Sequence, residues 1–302
     1  MTPDPSFHRV EAAFHEGERR LQARDGLQER MAEIGPRVIR DRMPDQHRDF
    51  FAQLPFLVVG LVDAQGQPWA SVLAAEPGFV QSPTDTRLDI AALPSSQDPV
   101  QAALQPGAAI GLLGIEPHTR RRNRANGVVE RVDGVGFSVR VTQSFGNCPK
   151  YIQPRKAEFT PRARTRAAPA ERADALDLEA MRFIAQADTF FIATAHPDSA
   201  ANAGVRSHGV DVSHRGGPAG FVSVHDDRTL SVPDFVGNFF FNTLGNLLLN
   251  PRAGLVFIDT VRGDLLHLAV EGRIEEDGVR RVLLMRVTRM LRLRGALSLR
   301  WR

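Results

Sequence analysis

Two stretches in the second half of the chain carry residue types that can do chemistry. In Asp211-Val212-Ser213-His214-Arg215-Gly216-Gly217-Pro218, a hydroxyl, an imidazole and a guanidinium stand side by side ahead of two glycines. Consecutive glycines lack Cβ atoms, so backbone N–H groups there can approach an anionic or planar ligand closely. Arg215 adds a planar fork that matches phosphate. A hairpin turn with exposed polar residues has the same composition, and the segment alone leaves both readings open. The second stretch runs from Val232 to Asn246. Its Pro233-Asp234 turn feeds a helix expected to begin near Gly237-Asn238, where free N–H groups and the helix dipole favour a phosphate. Asn238, Asn242 and Asn246 recur every four residues and would share one helix face. A capped core helix with asparagines in water is the plainer alternative.

Other chemistries lack support. His208, His214 and His225 lie near one another, but no HExxH motif or cysteine pair accompanies them, and no metal is expected. Cys148 is the sole cysteine, which excludes an intrachain disulfide. Lys150 beside it could lower the thiol pKa; a small residue buried in the turn before Pro149 fits the same position. There is no dinucleotide-binding glycine motif, Walker loop or nucleophile elbow.

These segments need a scaffold. With 302 residues, 42% hydrophobic and 24% charged, the chain has the makings of one large domain or two smaller ones. Residues 1–30 are polar and charged, without the apolar core of a signal peptide, and no apolar run approaches the ~20 residues that span a bilayer; the expected location is cytoplasmic, with no membrane partner. The net charge of +3 and the run Arg120-Arg121-Arg122-Asn123-Arg124 invite a nucleic-acid reading. Interspersed acidic residues make that a weak signal, the run reads as a solvated strand end, and no nucleic acid is expected.

Pro154 to Arg172 is rich in Pro, Ala and Arg and reads as a connector. Segments on its two sides resemble one another in order: residues 49–53 and 182–186, 77–80 and 219–222, Pro106-Gly107-Ala108 and Pro251-Arg252-Ala253, Asn126-Gly127 and Glu271-Gly272, Asp133-Gly134 and Asp277-Gly278. Most of these pairs lie about 145 residues apart, which points to duplication. Each half predicts a short helix, strands such as Phe56–Val62 and residues 190–195, a short helix ending before Pro106 or Pro251, and a closing hairpin. The expected fold is mainly β with flanking helices (α+β), a duplicated barrel. Its divisions are a helical segment 1–48, a first half 49–153, a linker 154–174 and a second half 175–302.

Taken together, the SHRGG, GFV, PDFVGN, FNTLGN and NPRAGLVFID segments resemble the pyridoxamine 5′-phosphate oxidase-like FMN-binding split-barrel family, in particular its two-barrel subgroup. In the first half, TRRRNRANG and GNCPKYIQ resemble the same subgroup, as does the C-terminal Gly295 to Trp301. The resemblance implies a non-covalent FMN in a cleft between two barrels. By position, Ser213, His214, Arg215, Gly216 and Gly217 would line the ring and phosphate cleft. Gly237, Asn238, Thr243 and Asn246 would serve the phosphate and ribityl chain, and Lys150, Tyr151 and Gln153 are the first-half candidates. The Ser-Arg-Lys phosphate run of true pyridoxamine phosphate oxidases is absent, which argues against that reaction. The segment after Gly278 looks shortened, which puts the second barrel's closing strands in doubt. The implied activity is an oxidoreductase passing electrons from an NAD(P)H-linked donor to a small-molecule substrate or electron acceptor. A separate reductase and a homodimer are the expected partners. A non-catalytic flavin carrier or sensor, or a ligand-free interaction module, are the alternatives.

Overall fold

The computed structural model describes residues 13–161, 169–200, 205–237, 239–277 and 280–302. Three helices lead the chain: α1 (Glu16–Arg24), α2 (Gln28–Val38) and α3 (Asp45–Ala52). The first sheet follows, made of β1 (Phe56–Val62), β2 (Pro68–Ala74), β3 (Val80–Thr84), β4 (Arg87–Ile90), β5 (Ala109–Glu116), β6 (Arg121–Val132) and β7 (Phe137–Gly146). Two short strands, β8 (Ala157–Phe159) and β9 (Glu171–Ala173), precede α4 (Leu178–Gln186). The second sheet comprises β10 (Thr189–Ala195), β11 (Val210–Gly216), β12 (Ser223–Val224), β13 (Thr229–Pro233), β14 (Arg252–Ile258), β15 (Leu265–Asp277) and β16 (Arg280–Leu293). Helix α5 (Asn242–Leu249) stands before β14, and β17 (Leu299–Trp301) ends the chain. None of the described helices is long and apolar enough to cross a membrane.

Both sheets are antiparallel and share one strand order. The first runs β2-β1-β5-β6-β7-β4-β3 and the second β11-β10-β14-β15-β16-β13-β12, with β9 added beside β16. Each wraps its own apolar core, the first around Phe51, Leu57, Leu88 and Val139, the second around Phe190, Leu230, Leu255 and Phe257. A third cluster, with Val58, Val72, Leu113, Phe191, Val212 and Val256, glues the two sheets together.

Two glycines fix how closely the sheets approach, and they do so reciprocally. A Cβ on Gly111 of β5 would lie 2.6 Å from the Val210 carbonyl oxygen of β11. A Cβ on Gly254 of β14 would lie 2.3 Å from the Pro68 carbonyl oxygen of β2. Pro68 faces Val62 in its sheet and Val210 faces Ala195 in the other, so these contacts are register equivalents. The sheets therefore meet through an approximate twofold relation, β2 on β14 and β11 on β5.

The structure departs from the sequence reading in several places. Helix α5 begins at Asn242, not near Gly237-Asn238, because Phe239 and Phe241 take left-handed backbone (φ 62° and 60°) and interrupt helical hydrogen bonding. The first half has turns rather than a helix over residues 96–103. The Pro154–Arg172 connector contributes strands: β8 pairs with β17, and β9 pairs with β16. Such pairing needs only backbone groups, so poverty in apolar side chains does not prevent it. The closing strands β15 and β16 are 13 and 14 residues long.

Candidate functional site

A cavity of about 470 Å³ opens where the two sheets meet, a size typical of small-molecule sites. Strand alternation on β6 sends Arg122 and Arg124 to one face and into the cavity wall. The loop after β7 adds Cys148, Lys150 and Tyr151. From the second half come residues 213–216 of β11, residues 234–237 after β13, and Asn242, Thr243 and Leu244 of α5. Ser213, His214, Arg215, Gly216, Gly237, Thr243, Lys150 and Tyr151 are thus brought together. Three of the described sequence candidates are not, Gly217 among them. Asn246 points into the protein, 1% exposed, and its Nδ2 donates to Thr194 and Asp211. Gln153 donates to the Gly217 carbonyl at 2.9 Å, beside a smaller cavity of about 260 Å³ behind His214. Asn238 lies outside the described residues.

Behind the cavity, Arg124 clamps both halves. Its guanidinium donates to Asp211 Oδ1 at 3.0 Å, Asn242 Oδ1 at 2.7 Å and Ser213 Oγ at 2.5 Å, with the Phe145 ring beneath it. Asp211 also accepts from Asn126 and Asn246. Asn242 in turn donates to Glu18 of α1 at 2.5 Å. Burial, with the Asp211 charge adding to it, raises the Glu18 carboxyl well above the usual carboxylate range. Arg124 and Asp211 form an ion pair at 3.0 Å.

Arg122 is different. It donates to the Cys148 carbonyl at 2.7 Å and approaches His214 Nδ1 at 3.0 Å, and among the described residues no carboxylate pairs with it. Burial first, then the nearby Arg124 charge, lower its pKa to about 10. Since a guanidinium only donates, His214 Nδ1 must accept, leaving the ring proton on Nε2. Burial and the Arg122 and Arg215 charges hold that imidazole neutral, well below its ordinary value. Arg215 pairs with Asp234 at 3.2 Å, yet its Nε is buried without a partner. At the rim, Asp234, Asp25 and Glu276 tie down Arg281, and Arg24 bonds Glu276. The inner wall thus keeps an excess cation. Beside it, α5 begins at Asn242 with Phe241 as N-cap, whose side chain makes no capping bond, so the first turn of α5, which lines the cavity, leaves N–H groups free of side-chain caps where an anion is favoured.

The register-equivalent position in the other half is closed. Arg124 faces Leu113 on β6, as His267 faces Val256 on β15. Ser213 and Ser71 match in the same way. There Ser71 bonds Asp98, His267 lies 4.0 Å from Asp98 and bonds the Ala70 carbonyl, and Ser71 and His267 have no exposed surface.

The sequence reading missed Arg122, Arg124, Asp234 and Arg281. The alternation of Arg122, Arg124 and Asn126 along one strand face was the available signal; read as a charge run, it suggested solvent instead. Gly237 and Cys148 sit on loops that no local pattern could bring to one cavity.

No family model matches the chain, and no curated protein matches it. Solved structures similar to parts of it include a variant of HupZ from Group A Streptococcus, at 16% identity over 39% of this chain and 99% of that one, with a TM-score of 0.29. A Lactobacillus delbrueckii protein provisionally described as a pyridoxamine 5′-phosphate oxidase has 13% identity over 36% of this chain and 98% of its own, with a TM-score of 0.29. An FMN-binding protein from Syntrophomonas wolfei has 14% identity over 38% and 84%, with a TM-score of 0.28. Likenesses of this size carry no argument by themselves.

Proposed function

We propose that this chain is an FMN-binding flavoprotein of the pyridoxamine 5′-phosphate oxidase-like kind, with two duplicated split barrels in one chain (residues 49–153 and 175–302) joined by the linker 154–174. The observation that carries the reading is the cavity shared by both sheets and walled by Arg122, a half-buried cation that no carboxylate pairs with among the described residues. The residues fit an anionic, planar cofactor. Arg122, Arg215 and the start of α5 would hold the phosphate. Ser213 and Thr243 would offer hydroxyls to the ribityl chain, and His214, Gly216 and Tyr151 would bound the ring. The match in strand order and the reciprocal Gly111 and Gly254 contacts support the duplication.

Bound flavin would supply two-electron redox chemistry, and we assign the protein as an oxidoreductase taking electrons from an NAD(P)H-linked donor or a separate reductase. The protein's part is to bind, orient and shield. The fixed positive charge of Arg122 and Arg215 favours anionic forms in the cavity, while His214 Nε2–H is a donor that carries no charge of its own. The test is an absorbance spectrum of purified protein, titrated with FMN if colourless. Saturable binding of one FMN per chain supports the reading, and bleaching by NAD(P)H would favour an enzyme over a carrier. Absence of flavin and of binding would sink it.

A further inference from the structure

The N-terminus of α1 brings a second set of chemically competent side chains together, outside the lining of the Arg122 cavity. His15 caps α1, with Nδ1 accepting from Gly17 N–H at 3.1 Å. Its ring stands edge-on to His196 at 5.2 Å, and His196 stacks on His208 at 3.8 Å. Glu16 completes the group: one ligand atom from each of Glu16, His196 and His208 lies within 4.8 Å of the others. Three ring nitrogens here, His15 Nε2, His196 Nε2 and His208 Nδ1, are buried and have no hydrogen-bond partner, His15 Nε2 standing 3.5 Å from Glu18 Oε2. Unsatisfied buried polar atoms cost about 1–3 kcal/mol each, so three in one cluster call for an occupant.

We propose that Glu16, His196 and His208 bind a divalent transition metal of the zinc, nickel or cobalt class, which pins α1 to the β10–β11 connection. Two imidazoles and one carboxylate select such borderline ions over magnesium or calcium, which take oxygen donors. Burial keeps His15 and His196 in the neutral form that ligation requires. Donors on one tetrahedral zinc lie about 3.4 Å apart, and the two rings, stacked 14° from parallel, must turn out of that stack for both lone pairs to meet one ion. Ligation through His196 Nε2 also breaks the 3.2 Å bond from the Asp198 amide to Nδ1, a cost of about 1 kcal/mol that metal coordination exceeds. Three protein ligands leave a coordination position for water or for His15. The proposal does not depend on the flavin reading.

The test uses the tag-free full chain stripped with a chelator, then titrated with Zn²⁺ and separately with Mg²⁺ by calorimetry. One Zn²⁺ per chain, micromolar or tighter, with an upward melting shift and no matching Mg²⁺ response, is expected. His208→Ala and Glu16→Gln should each weaken Zn²⁺ binding at least about tenfold, while His225→Ala, on an exposed turn, should bind like wild type. Because either variant could disturb α1, Co²⁺ absorption bands in the wild type provide a second readout of imidazole ligation. No saturable Zn²⁺ binding, Mg²⁺ binding of equal strength, or undiminished binding in His208→Ala would overturn the proposal.

Discussion

Replacing Arg122 by methionine should separate ligand binding from folding. The lowering of its pKa to about 10, at about 1.4 kcal/mol per pH unit, places the unfavourable electrostatics of the free protein at about 3 kcal/mol. Against that stand two bonds, to the Cys148 carbonyl and to His214, each contributing about 1–1.5 kcal/mol. The two nearly cancel, so Arg122→Met should change the stability of the ligand-free protein by no more than about 1 kcal/mol in urea unfolding. With FMN present the balance differs. The phosphate would offset the charge and add a charge-assisted bond of roughly 1.5–3 kcal/mol, so removal should weaken FMN about ten- to a hundredfold by fluorescence quenching. Riboflavin, which lacks the phosphate, should bind both proteins alike. A variant that unfolds at the wild-type urea concentration and still binds FMN within about twofold would refute the argument that Arg122 is held for an anion.

The remaining predictions concern the scaffold. Gly254→Ala puts a Cβ 2.3 Å from the Pro68 carbonyl oxygen and should cost at least about 1–3 kcal/mol, while Gly134→Ala, with nothing within 4 Å, should be close to neutral; thermal melts of both decide it. Arg124→Ala strands Asp211 inside the cavity wall and should destabilise by about 3–5 kcal/mol, with much of the loss recovered in Arg124→Ala/Asp211→Ala; purely additive losses in that cycle would exclude a coupled pair. His15 falls from 6.5 to about 3 and His47 to about 4, chiefly through burial. The unfolded chain therefore takes up these protons first. Stability should be full above about pH 6.5 and decline as the pH falls through the window down to 4 and then 3, by up to about 1.4 kcal/mol per pH unit for His15. Metal-free urea titrations at several pH values measure that slope, and His47→Gln should flatten it.

What the sequence made legible was local. Phe56–Val62 is an apolar run and forms β1 with those ends, and Asp133-Gly134 marks the β6–β7 turn because Asp133 Oδ1 accepts from the Val135 and Gly136 amides. The start of α5 was misread because no glycine or proline flags the left-handed Phe239 and Phe241. Asn246 looked like a cavity residue by periodicity, but its partners Thr194 and Asp211 come from strands that only the fold assembles. The Arg122 environment depends on β6, on the loop at Cys148 and on β11 together, and so lies beyond any window of local pattern. The same is true of Glu16 meeting His196 and His208.

The closed counterpart around Ser71, Asp98 and His267 bears on how such a protein can change. In a pair of identical subunits every substitution lands in both clefts at once, so neither cleft can be adjusted alone. Here Ser71 and Ser213, or His267 and Arg124, are separate positions. Ser71 and His267 are buried in packing, while Ser213 and Arg124 line the cavity. An FMN saturation curve should accordingly be a simple hyperbola ending at one ligand per chain, because the counterpart around Ser71 and His267 is packed shut. Drift in the silent half is then limited only by what the shared interface at Gly111 and Gly254 will tolerate.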